Sequence, residues 1–122
     1  MKKIILILMF FCSFAFADIS DNDKSKSIEC TGIYYANSMI PQGELELEKI
    51  VHSFAAKKFL SAYLIKEGVE EEKLNNELLK IVDVRYGKPY EEKITKKCDS
   101  FIFKLIPGSE SKIKEIAESG IY

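Results

Sequence analysis

The sequence has no tryptophan, one histidine (His52) and three cysteines in 122 residues. A single histidine removes most histidine-based metal sites and makes any Ser-His-Asp triad depend on His52 alone. Neither sign of charge dominates, because 18 Lys+Arg stand against 19 Asp+Glu for a formal net charge of −1. The basic excess that marks a nucleic-acid binder is missing, so no nucleic-acid partner is expected. The sequence also lacks a G-x-x-x-x-G-K-[ST] phosphate loop, a G-x-G-x-x-G turn, an H-E-x-x-H helix and an EF-hand loop. No apolar run reaches the roughly 20 residues that span a bilayer. Hydrophobic residues at 47% and charged residues at 30% are ordinary globular composition, and the length suits one domain.

The first seventeen residues read as an export signal. Lys2 and Lys3 precede the apolar run Ile4–Phe11, and Ala15-Phe16-Ala17 supplies an A-x-A cleavage site. Cleavage before Asp18 leaves 122 − 17 = 105 residues and, with Lys2 and Lys3 gone, a net charge of 16 − 19 = −3. Cys12 follows the bulky Met9-Phe10-Phe11, which departs from the small residues that precede a lipid-modified cysteine. The twin-lysine start and the Lys/Ile-rich composition resemble exported bacterial chains. The expected location is therefore the periplasm or beyond it, without a permanent membrane anchor.

That location makes Cys30 and Cys98 an expected disulfide, since exported chains of this length use paired cysteines as staples. The bond closes a loop of 98 − 30 = 68 positions, for which the chain-entropy model gives roughly 4 kcal/mol.

Residues 18–27 (DISDNDKSKS) read as a flexible polar tail, and residues 28–122 as a single helical domain. A first helix is predicted over Ile28–Met39, with Cys30, Ile33, Tyr34, Asn37 and Ile40 facing inward at three- and four-residue steps. Gly32 weakens it slightly and leaves room for a neighbour to approach. A second, central helix is predicted over Glu44–Glu67, capped by Gly68. Its main stripe is Leu47, Ile50, Val51, Phe54, Ala55, Ala62 and Ile65, and Ala56, Phe59, Leu60, Tyr63 and Leu64 add a second apolar face. A third starts near Val69 behind Glu70-Glu71-Glu72, whose charges suit a helix N-terminus. A fourth begins at Pro89 and turns Cys98 inward, and a short fifth covers Ser109–Ser119. The predicted fold is all-α, a small bundle of four or five short helices with one disulfide.

No catalytic, cofactor or metal residues are assigned. His52 reads as a boundary residue on the polar side of the second helix. The acidic groups Glu44/Glu48, Glu70–Glu72 and Glu91-Glu92 read as solvated helix faces, and Lys57-Lys58 and Lys96-Lys97 are too short for a nucleic-acid footprint. Tyr34 and Tyr35 are the candidate partner contacts. Adjacent helical residues point about 100° apart, so one can be core while the other is presented outward.

Signal, size, helicity and a bracketing Cys30/Cys98 pair together resemble two groups. One is the acid-activated periplasmic chaperones, and the other is the immunity proteins that neutralise cell-wall-degrading toxins. No residue motif of either is matched, so no residue role carries over. The resemblance implies a protein that binds another protein in the cell envelope, with a homodimer through the apolar second helix as a further expectation. A secreted host-facing or structural protein is the alternative, and a small hydrolase working through His52 or a carboxylate pair is another.

Overall fold

The computed structural model describes residues 19–120. The export-signal reading of residues 1–17, Cys12 included, falls outside them. Among the described residues five helices follow in order: α1 (Asp21–Ser38), α2 (Leu47–Lys66), α3 (Glu71–Arg85), α4 (Glu92–Leu105) and α5 (Ser109–Ser119). No strand forms among the described residues; an isolated Gln42–Leu45 bridge tightens the α1–α2 turn. The chain is all-α, and Cys30 and Cys98 are disulfide-bonded with Cα atoms 5.5 Å apart.

α1 begins at Asp21 rather than Ile28, so most of the segment expected to be a flexible tail is the first two turns of a helix. Ser20 caps it, its hydroxyl accepting from the Asp23 N–H at 3.1 Å, and Asp21 and Asp23 complement the helix dipole. A polar composition here marks a solvated first turn, and Ser27 is already buried.

α1 and α2 form the centre. α1 packs on α2, α3 and α4, while α2 packs on α1, α3 and α5. The larger core cluster gathers Cys30, Ile33 and Tyr34 of α1, Ala55, Ala56 and Leu60 of α2, Cys98 and Ile102 of α4, and Ile113 of α5. A second cluster of Leu64, Leu74 and Leu78 joins α2 to α3.

The buried face of α2 takes only Ile50 and Ala55 from the predicted main stripe. Leu60 and Leu64 of the second face, with Ala55 and Ala56, are fully buried, while Leu47 (59% exposed), Phe54 (37%) and Ile65 (41%) point to solvent. α2 is apolar on nearly every side, so periodicity alone does not choose its inner face. On the inner face the fully buried Ala55 and Ala56 leave room for neighbouring helices beside Ile50, Leu60 and Leu64.

Gly32 has such a role in α1, where a Cβ would lie 2.6–2.7 Å from the side chain of Ile81 on α3. The predicted fourth helix starts three residues later than Pro89. Tyr90 stays in the connection beneath the Lys49 ammonium, 5.3 Å from its ring centroid, and Arg85 Nη2 donates to Glu91 Oε1 at 3.0 Å. The α4–α5 turn uses Gly108 at φ 84°, and the buried Ser109 hydroxyl behind it donates to the Ile102 carbonyl.

Candidate functional site

Three helices bring polar side chains together at one point. Tyr34 on α1 donates its hydroxyl to Asp99 Oδ1 on α4 at 2.5 Å, and His52 on α2 lies 3.0 Å from the same oxygen through Nε2. A carboxylate only accepts, so this contact places the proton on Nε2 of His52. The Tyr34 and His52 rings meet edge to face with centroids 5.8 Å apart. One turn further along α1, Asn37 Nδ2 donates to Thr95 Oγ1 at 3.0 Å, and Thr95 Oγ1 donates to the Glu91 carbonyl. With Cys30–Cys98, the predicted inward face of α1 becomes a seam to α4 that is covalent at one position and hydrogen-bonded at two.

Burial, and then the charge and hydrogen bond of Asp99, raise the Tyr34 hydroxyl far above its ordinary pKa of 10.0. Tyr34 is thus a neutral donor at any physiological pH. It is also 0% exposed, which corrects its assignment as a partner contact. The step of about 100° between neighbours turns it into the core, and Asp99 takes its hydroxyl. Tyr35 is half-buried against the Leu64 cluster, with the Lys57 ammonium 4.7 Å from its ring centroid.

A surface cavity of about 520 Å³ opens beside His52 and Asp99, floored by Val51, Phe103 and Ala117 and edged by Glu48, Glu110, Lys114 and Glu118. The arrangement can orient an imidazole. The residues around it include no serine, threonine or cysteine to act as a nucleophile, and Tyr34 is spent on Asp99. Sequence reading missed the His52–Asp99 pairing because the partners are 47 positions apart on different helices. Among the described residues, no group of three or more His, Cys, Asp or Glu side chains is placed to hold a metal ion.

The acidic groups are dispersed. Glu92 shares Lys49 and Lys96 at 3.6 and 3.7 Å, and Glu71 and Glu72 occupy the first turn of α3.

A second surface lies between the α1–α2 and α3–α4 turns. It is a cleft of about 470 Å³ lined on its apolar side by Met39, Ile40, Pro41, Tyr86, Pro89 and Tyr90. Tyr86 is 77% exposed and Met39 44%. Among the described residues, no helix is long and apolar enough to cross a membrane. No family model, curated protein or solved structure matches the chain.

Proposed function

We propose that this chain is an exported, disulfide-tied helical protein that acts by holding another protein in the cell envelope, as an immunity or inhibitor protein or an envelope chaperone does. The observation that carries the reading is the cleft at the turns, where Tyr86 and Met39 stand in water beside Pro41, Pro89 and Tyr90. Tyrosine and methionine are the residue types that interfaces concentrate, the one for its large area with a polar tip, the other for adaptable packing. The leader pattern and the disulfide, a bond that persists in oxidising compartments, support this location. A secreted host-facing protein would use the same surface outside the cell.

The test is affinity capture from the envelope fraction at neutral pH, with wild type beside a Tyr86→Asp/Met39→Asp variant of unchanged circular dichroism. One stoichiometric partner, lost with the variant, is the expected result. No partner for wild type, or a partner kept by the variant, overturns the assignment. Apolar dye binding that rises reversibly at low pH selects the chaperone branch; tight capture at neutral pH alone selects the immunity branch.

A small hydrolase is the second reading, favoured by the His52–Asp99 pair at the edge of a cavity.

A further inference from the structure

We propose that the outward face of α2 docks a second copy of this chain, with the two α2 helices lying antiparallel about a two-fold axis that crosses this face at the height of residue 56, between Phe54 and Lys58. At about 100° per residue, Leu47, Phe54, Lys58 and Ile65 fall within about 20° of one line along the helix, with Val51 and Ala62 beside it. The line runs 65 − 47 = 18 residues, about 27 Å, and its large apolar members are the exposed Leu47, Phe54 and Ile65.

The occupant is identified by the self-complementarity of this line. In an antiparallel pair centred at the height of residue 56, positions that sum to 112 face each other. Leu47 then meets Ile65 of the second copy, and Phe54 lies beside Lys58, whose aliphatic stem covers apolar surface. Charge agrees with this register. Glu48 and Lys66 project from the same flank, about 80–100° from the line, and a two-fold axis brings like flanks together. Lys66 of the second copy then sits within about 3 Å, measured along the axis, of the level of Glu48. The symmetry makes this ion pair twice, at the positions where paired helices set register and partner. Neither Glu48 nor Lys66 forms an ion pair with another described residue.

Six side chains per copy make a small interface, of the weak and reversible class. A reversible monomer–dimer equilibrium is expected. The α2 line is separate from the cleft at Tyr86, so loss of one leaves the other standing.

The experiment is sedimentation velocity on the purified protein over a concentration series, with Glu48→Lys, Lys66→Glu and the combined variant. The expected result is a reversible dimer that each single charge reversal weakens about tenfold or more and that the double reversal restores. Phe54→Glu should abolish it, with helicity unchanged. A species that stays monomeric to millimolar concentration overturns the proposal, as does association indifferent to these reversals or assembly that continues past a dimer.

Discussion

Tyr34 and Asp99 are 65 positions apart in sequence and joined by a hydrogen bond, one helical turn from Cys30 and one residue from Cys98. The disulfide and the hydrogen bond therefore constrain the same two helices at the same level. Removing the tyrosine hydroxyl leaves Asp99 with His52 as its remaining donor. A hydrogen bond to a charged group contributes about 1.5–3 kcal/mol, and Tyr34→Phe should lower unfolding stability by that order. Denaturant titration of both proteins checks it; an unchanged midpoint would show that the hydroxyl contributes nothing net.

The same tyrosine gives an alkaline signature. Its pKa is raised in the folded state by burial and by Asp99, while the unfolded chain ionises it near 10. The folded state keeps the proton longer, so this contribution is complete below pH 10 and is lost as pH rises beyond it toward the folded value. The slope from one such group is at most about 1.4 kcal/mol per pH unit. Melting temperatures between pH 9 and 11.5 should fall more steeply for wild type than for Tyr34→Phe, and parallel curves would remove Tyr34 as the cause.

Cys30 and Cys98 are 7% and 5% exposed, so the bond closes a long loop inside the core. Cys30→Ser with Cys98→Ser should reduce stability by roughly 4 kcal/mol in the chain-entropy model, a large part of a domain's typical 5–15 kcal/mol. Calorimetry of the double variant reads this directly, and a melting temperature equal to wild type would refute the bond as a staple.

Much of the bundle is legible in the sequence because its signals are local. Pro107-Gly108 and the periodicity after it place α5, Gly68 stops α2, and the phase of Cys30, Ile33, Tyr34 and Asn37 gives the inner face of α1. Failures arise where the deciding fact is tertiary. Nothing in residues 18–27 shows that Ser27 meets a neighbour, and the all-round apolarity of α2 conceals which side α1 and α5 cover. The His52–Asp99–Tyr34 contact joins three helices, and no spacing within any one of them announces it.

Gly32 tests the packing of α1 on α3. Replacing glycine by alanine within a helix ordinarily adds about 0.5–1 kcal/mol, and here the new Cβ would stand 2.6–2.7 Å from Ile81, including its own Cβ. That atom is fixed to the α3 backbone and cannot swing away, so overpacking of about 1–3 kcal/mol should outweigh the propensity gain. Gly32→Ala should therefore destabilise, as denaturant titration beside wild type would show. A stabilised Gly32→Ala protein would show that α1 and α3 are farther apart than the structure places them.

His52 separates a structural from a chemical role. Its ring gives Asp99 a second donor and meets Tyr34 edge to face, so His52→Ala removes a polar tie among α1, α2 and α4 without opening the disulfide. The expected result is a folded protein with a lowered melting temperature that behaves as wild type in capture of the proposed partner, because the cleft at Tyr86 is formed by the α1–α2 and α3–α4 turns. The hydrolase reading demands the reverse pattern: a turnover present in wild type and lost in His52→Ala while the melting curve and partner capture are retained. Measuring both on the same variant decides between a histidine that ties helices together and one that moves protons.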